Sequence, residues 1–221
     1  MILEAKNLTY GYDAQRHAIE NLSIGFAEGK TTAVLGANGA GKSTLFLHLN
    51  GILQPEAGEV LFRGEPISYT KEGLRKLRTK VGIVFQNPDD QLFSASVYQD
   101  ISFGAVNMGL PKEEVQRRVE AVMERIGITD LRERPTHSLS FGQKKRVAFA
   151  GIMVMEPEVL ILDEPFNAMD KASMEEVHDL LQRFKAQDKT VLLASHSAED
   201  IARACDVIYE MEDGGLHLVK R

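Results

Sequence analysis

The sequence predicts an α/β protein, a mostly parallel sheet with crossover helices, carrying a β-rich fringe and an inserted helical segment. Three observations predict it. Short apolar runs of the kind that form buried strands, Thr32 to Leu35, Val81 to Phe85, Val159 to Leu162 and Val191 to Ala194, alternate with helical patterns, as parallel strands joined by helices require. The stretch Val34-Leu35-Gly36-Ala37-Asn38-Gly39-Ala40-Gly41-Lys42-Ser43-Thr44 fills the G-x-x-x-x-G-K-[ST] pattern, with an apolar strand before it and the apolar helix Leu45 to Leu49 after it. From about residue 88 to residue 157 helical periodicity dominates. With 221 residues, 43% of them hydrophobic, the chain can bury a sizeable core in one domain.

Taken in order, Ile2 to Tyr10 and Ile19 to Phe26 read as strands joined by the exposed connection Gly11 to Arg16. Spacing alone makes Tyr12 a surface tyrosine at the tip of that turn. In the glycine-rich stretch the backbone curls tightly enough for successive N–H groups to point inward, and the following helix adds its positive end, so the loop is built for an anion such as a nucleotide phosphate chain. Lys42 is placed to reach the β- and γ-phosphates, the Ser43 hydroxyl to ligate Mg²⁺, and Thr44 to add a phosphate hydrogen bond. Gln54 to Gly58 forms a turn before the strand Val60 to Arg63, and Gly64-Glu65-Pro66 forms another. The run Val81 to Phe85 ends on Gln86-Asn87-Pro88-Asp89-Asp90-Gln91, which puts Gln86 at the end of a core strand.

Pro111 opens a helix whose Val115, Val119, Val122 and Ile126 share one apolar face, and Gly127 closes it. Lys144-Lys145-Arg146 begin a helix that runs through Phe149, Ile152 and Met153, and this basic cluster reads as a solvated face. Val159 to Leu162 is capped by Asp163-Glu164-Pro165, two carboxylates that demand a counterion. A helix from about Lys171 carries Met174, Val177, Leu181 and Phe184 on one face. The strand Val191 to Ala194 ends at Ser195-His196. A helix near Ala198 to Ala204 and strands at Val207 to Met211 and Leu216 to Val219 follow. In parallel sheets ligands bind beyond the carboxyl ends of the strands, where Gln86, Asp163, Glu164 and His196 all fall.

Composition excludes several classes. A formal net charge of −6 gives no electrostatic pull toward nucleic acid. Cys205 is the only cysteine, so no intrachain disulfide and no cysteine-based zinc site is expected, which fits a reducing compartment. The longest apolar run, Val147 to Met155, falls short of the ~20 residues that span a bilayer, and the N-terminus has no basic-then-apolar leader. The expectation is a soluble chain able to dock on a membrane protein. Apart from the Mg²⁺ site, no histidine pair or Cys/His/Asp cluster has metal-ligand spacing.

Read together, six stretches resemble the ATP-binding subunit of an ABC transporter across essentially the whole chain. They are the phosphate loop, Gln86 after its strand, Leu139-Ser140-Phe141-Gly142-Gln143 (usually L-S-G-G-Q), Leu160-Ile161-Leu162-Asp163-Glu164-Pro165, Asn167-Ala168-Met169-Asp170 (usually S-A-L-D) and Ser195-His196. The resemblance implies a P-loop NTPase (RecA-like) core, an N-terminal antiparallel β subdomain and an inserted α-helical subdomain. Residues 1–30 and about 58–70 would form the β-rich fringe, and about 88–157 the helical part carrying the signature. It implies ATP and Mg²⁺, with ATP held by Tyr12, Gly36, Ala37, Asn38, Gly39, Ala40, Gly41, Lys42, Ser43 and Thr44. Tyr12 would stack on adenine, with Tyr10 as the substitute if the loop register differs.

In the same carry-over Ser43, Gln86 and Asp163 surround Mg²⁺. Glu164 is the general base or the group that orients the attacking water, and Lys42, Gln86 and His196 complete the catalytic set around the γ-phosphate. Ser140, Phe141, Gly142 and Gln143 serve the site of a second ATPase subunit, most simply another copy of the chain packed head to tail, and Asp170 communicates between the two sites. Val84 to Phe93, Val97, Asp100 to Gly104 and Asn107 to Pro111 look like the energy-coupling-factor group. Leu139 to Arg146 and Met155-Glu156-Pro157 are similar to the ATPase of bacterial cobalt or nickel uptake systems. That resemblance implies an integral membrane coupling subunit docking near Gln86 to Phe93, a separate membrane subunit for the ion, and a peripheral position on the cytoplasmic face of the cell membrane.

Three departures stand out: Phe141 in place of a glycine, Phe166, Ala168 and Met169 against the common T-A-G-L-D, and an end soon after the last strand. The last leads to the expectation of a weak dimer without ATP. A rival reading of the same motifs is a soluble ABC ATPase scaffold of the iron–sulfur assembly type. DNA-handling relatives carry long coiled-coil insertions, and no sustained heptad run is present.

Overall fold

Strand β1 (Leu3–Gly11) turns Leu3, Ala5 and Leu8 inward and pairs antiparallel with β2 (His17–Phe26), Leu3 lying opposite Phe26 and Leu8 opposite Leu22. On its other edge β1 pairs antiparallel with β4 (Ala57–Phe62), followed by the two-residue β5 (Glu65–Pro66), which completes a sheet of order β2-β1-β4-β5. The computed structural model describes residues 1–13, 17–167, 171–198, 201 and 205–220.

The second sheet has six strands: β3 (Thr31–Leu35), β6 (Val81–Val84), β7 (Val159–Asp163), β8 (Thr190–Ser195), β9 (Val207–Glu212) and β10 (Gly215–Lys220). Their order is β10-β9-β3-β8-β7-β6, parallel throughout except for the edge hairpin β9–β10. β6, β7 and β8 are buried on both faces, which is why they read as unbroken apolar runs.

The period-two alternation of these strands divides the interior. Val159 and Ile161 of β7 face the antiparallel sheet and α1 (Lys42–Leu49), in a core with Phe26, Phe46 and Leu45. Leu160 and Leu162 face the opposite way, toward α3 (Val97–Asn107), α4 (Lys112–Ile126), α5 (Phe141–Met153) and α6 (Lys171–Lys185), in a core with Ile101, Val119 and Phe149. The predicted faces of α4 and α6 are the buried ones: Val115, Val119, Val122 and Ile126 on α4, and Val177, Leu181 and Phe184 on α6. Gly127 ends α4 at φ 70°, a left-handed conformation that glycine adopts without strain.

Two helices add to those expected. α2 (Lys71–Lys80) is capped by Thr70, whose hydroxyl accepts from Gly73 N at 3.2 Å; it buries Leu77 and half-buries Leu74, a narrow apolar face on an otherwise charged helix. α3 is capped by Ser96.

The start of α5 is a correction. It begins at Phe141, three residues before the lysines, because Ser140 and Gln143 form a reciprocal capping box: Ser140 Oγ accepts from Gln143 N at 3.3 Å and Gln143 Oε1 accepts from Ser140 N at 3.0 Å. The basic cluster is not a solvated face either. Lys144 Nζ pairs with Asp89 Oδ1 at 2.6 Å, and Lys145 is 4% exposed. The expected helix near Ala198 to Ala204 falls largely outside the described residues, as do Ala168, Met169 and Asp170.

Candidate functional site

The phosphate loop leaves β3 at Leu35 and enters α1 at Lys42, and two of its glycines are dictated by the backbone. Gly36 has φ 152° and a Cβ there would run into the Met211 carbonyl. Gly41, the N-cap of α1, has φ 106°, and a Cβ would stand 2.6 Å from Ala18 O and 2.7 Å from Met211 Cε. No side chain caps α1, so its first N–H groups are left for an anion, aided by the positive end of the helix. Lys42 is 5% exposed; its Nζ donates to Gly36 O at 2.7 Å and Ala37 O at 3.1 Å.

Two adjacent strand ends bring the acidic groups to this loop. Asp163 closes β7 and lies opposite Ala194 of β8, and the next residue, Glu164, donates its own N–H to Ala194 O at 3.0 Å. Glu164 has φ 46°, a left-handed conformation that a non-glycine side chain rarely takes, and strain of this kind concentrates at functional sites. Its Oε1 lies 3.5 Å from Lys42 Nζ as an ion pair without hydrogen-bond geometry, and its Oε2 is 2.9 Å from His196 Nδ1. The Glu164 side chain is buried while that of His196 is half exposed, so the pair joins the interior to the surface. Lys42 is thus a counterion to Glu164, and its charge also favours ionised Asp163.

Burial pushes the Asp163 carboxyl above its usual range, and the like charge of Glu164 adds to this; the Ser43 hydroxyl, which hydrogen-bonds it, and the charges of Lys42 and Lys145 act the other way. Its Oδ1 is buried without a hydrogen-bond partner. An orphaned carboxylate oxygen beside a serine hydroxyl is a hard-oxygen donor set and fits Mg²⁺, which takes few protein ligands and completes its shell with phosphate and water.

A cavity of about 870 Å³ lies over these groups, lined among others by Tyr12, Asn38, Lys42, Thr44, Gln86 and Glu164. Tyr12 rather than Tyr10 lines it. The Tyr12 hydroxyl and Thr44 Oγ1 are 3.3 Å apart, and its ring meets Tyr10 edge-on at 5.2 Å. Tyr10 in turn rests edge-on against the buried His48, 4.7 Å away. Gln86 is exposed just past β6. The signature residues Ser140 to Gln143 are not part of this lining; they form the N-terminus of α5, with Phe141 37% exposed. Asp170 lies outside the described residues.

One residue beside the site escapes a reading by residue type. Lys145 lies four residues before Phe149 and seven before Ile152, the spacing of a single helical face, and that spacing signals burial.

The arrangement can bind a phosphate chain and a hard divalent cation, and it sets a carboxylate, held by a histidine, beside both. Comparison with known proteins points the same way. Residues 19–167 match the family model described as ABC transporter. An energy-coupling factor transporter ATP-binding protein, EcfA3 of Clostridium perfringens, is 49% identical over 214 residues, covering 96% of this chain and 75% of that protein. The solved structure of cbiO1 from Clostridium perfringens, described as part of the ABC transporter complex cbiONQ, is 49% identical with a TM-score of 0.87 and covers 98% of this chain and 87% of that one. An ATP-binding cassette solved as a dimer in a post-hydrolysis state with ADP and phosphate shares the fold at 24% identity, TM-score 0.90, over 99% of this chain and 98% of that one. The chain belongs to the ABC transporter family, as an ATP-hydrolysing, ATP-binding subunit of the energy-coupling-factor type.

Proposed function

We propose that the chain powers an importer for cobalt or nickel ions, working as a head-to-tail pair of copies on the cytoplasmic face of the membrane. The observation that carries the reading is the division of the site. The phosphate loop, Gln86 and Glu164 line one cavity, with Asp163 hydrogen-bonded by Ser43 and His196 by Glu164 behind them, whereas Ser140 to Gln143 lie outside its lining on a helix N-terminus suited to phosphate. Two copies related by a twofold axis would give each signature the other's phosphate loop, and two equivalent sites.

In this reading the loop N–H groups and Lys42 hold the β- and γ-phosphates, Thr44 adds a hydrogen bond, and Tyr12 stacks on adenine. Ser43 and Asp163 would hold Mg²⁺, with Gln86 at its edge. Mg²⁺ supplies neutralisation of the charge on the phosphate oxygens when bound. Glu164 takes a proton from the attacking water, a contribution of ~10²–10⁴ in rate, and the contact with His196 Nδ1 orients its carboxylate. Loss of the γ-phosphate removes the contacts that favour the closed pair, and Asp170 links the two sites.

A second cavity, of about 510 Å³, supports the docking of an integral membrane coupling subunit near Gln86 to Phe93. Its lining includes Leu92, Phe93, Phe103, Ile152 and Met155, with Phe93 66% and Phe103 49% exposed and their rings 4.8 Å apart. A separate membrane subunit would handle the ion. The choice of cobalt or nickel rests on the likeness at Leu139 to Arg146 and Met155 to Pro157 and is in keeping with the cbiO1 relative.

The test is to isolate the Glu164→Gln form with ATP from native membranes, identify what accompanies it, and measure cobalt and nickel uptake by cells with and without the chain. Recovery with integral membrane proteins and uptake that depends on the chain are expected. Soluble partners alone, or uptake indifferent to the chain, would overturn the proposal.

A further inference from the structure

Lys145 is a buried ammonium that the hydrolytic scheme above does not use. Its Nζ donates to Phe85 O at 3.3 Å and stands 6.0 Å from the centre of the Phe141 ring. The negative charges of Asp163 and Glu164 stabilise its charged form, while burial, the larger effect, pushes its pKa down to about 8. Phe85 is held on both sides. Its N–H donates to Gln91 Oε1 at 3.1 Å, and Gln91 Nε2 donates to Ala148 O of α5 at 3.4 Å. Both backbone groups of the residue before Gln86 therefore end on the signature helix, one through Gln91 and one through Lys145. β6 and β7 lie side by side, Val84 opposite Leu162, so Lys145 serves the carboxyl ends of both.

A buried charge at such a place is not explained by stability. Replacing buried ions with apolar side chains of similar volume is often neutral or stabilising. We infer that Lys145 is a positioning residue for hydrolysis: its ammonium fixes the Phe85 carbonyl, and so the direction in which Gln86 leaves β6, and it supplies a counter-charge to Asp163 and Glu164 from the signature helix. The inference rests on the hydrolytic reading of Glu164 and adds to it a charged link between the signature and the strands that carry the chemistry.

The test compares the full chain with Lys145→Met, which keeps the length and drops the charge, and Lys145→Gln, which keeps a donor for Phe85 O. ATP turnover is measured over a range of ATP concentrations, with melting curves and amide hydrogen exchange. The melting temperature should hold or rise and KM should stay within about threefold, while kcat falls about ten- to a hundredfold in Lys145→Met and less in Lys145→Gln, the scale of a misplaced catalytic group. Exchange should quicken at Phe85 to Gln91 and not in α1. Turnover within about twofold of the parent in both variants, or a fall in kcat that only follows losses in KM and melting temperature, would overturn the inference. If Lys145→Met does not fold, Lys145→Gln decides by the same criteria. Glu164→Gln in the parent chain separates the two claims. Retained turnover there removes the hydrolytic reading, whereas its loss alongside full turnover in the Lys145 variants removes only the role of Lys145.

Discussion

The two large cavities among the described residues are opposites in how they are made. The one over the phosphate loop is polar and built mainly from backbone: a glycine turn, an uncapped helix end and two strand ends in register. The other is an apolar groove assembled from side chains of α2, α3, α5 and the segment Gln91 to Phe93, spanning Lys71 to Met155. A backbone site tolerates almost no change at its glycines, while a side-chain groove can be re-cut one residue at a time. The first suits a ligand of fixed chemistry and the second a partner surface that can change residue by residue.

Substitutions can test that contrast. The largest effect is expected at the polar cavity: Glu164→Gln should lower phosphate release by ~10²–10⁴-fold while ATP still binds. Gly41→Ala, forced against Ala18 O at a left-handed φ, should abolish nucleotide binding and destabilise the chain by about 1–3 kcal/mol, read by fluorescent-nucleotide titration and thermal melting.

Lys145 gives the next effect. A lysine whose folded pKa is about 8 against the usual 10.5 is deprotonated in the folded chain before the unfolded one, so the unfolded state binds more protons between these values and stability rises with pH there. The gain should be about 3 kcal/mol between pH 8 and pH 10.5, absent below pH 8, and missing in Lys145→Met, as followed by denaturant unfolding at stepped pH.

At the groove, Phe93→Ser with Phe103→Ser should weaken association with the proposed membrane partner by about 2 kcal/mol or more, measured by co-purification, while nucleotide affinity holds. Ser140→Ala removes the capping box and should lower stability by about 1 kcal/mol. A fall in turnover far beyond that would separate its duty toward a second copy from its local one.

The phosphate loop could be read from sequence because φ values at Gly36 and Gly41 exclude other residues and the flanking strand and helix are contiguous with it. Asp163, Glu164 and His196 could be read because β7 and β8 are buried on both faces and end abruptly in polar groups. The groove's place near Gln86 to Phe93 comes only from the resemblance; its walls could not be read, since they are distant in the chain and meet only through the packing of α3 on α5. The start of α5 was written in Ser140 and Gln143 but masked by the lysines that follow, whose chemical type suggested solvent. Lys145 shows that helical spacing is the stronger guide where the two conflict. α2 escapes a sequence reading because only Leu74 and Leu77 mark its inner face, although they share it at helical spacing.

α5 belongs to both cavities' affairs at once. Ala148, Gly151 and Ile152 wall the apolar groove, while Ser140 caps the other end. At about 1.5 Å per residue its 13 residues form a rod about 20 Å long. If the proposed docking and pairing hold, a rod with one end under a membrane partner and the other at a second copy's phosphates would work as a lever. A tilt imposed at Ile152 would arrive at Ser140 as a displacement, carried together with the core residues Val147 to Ala150 that lie between them.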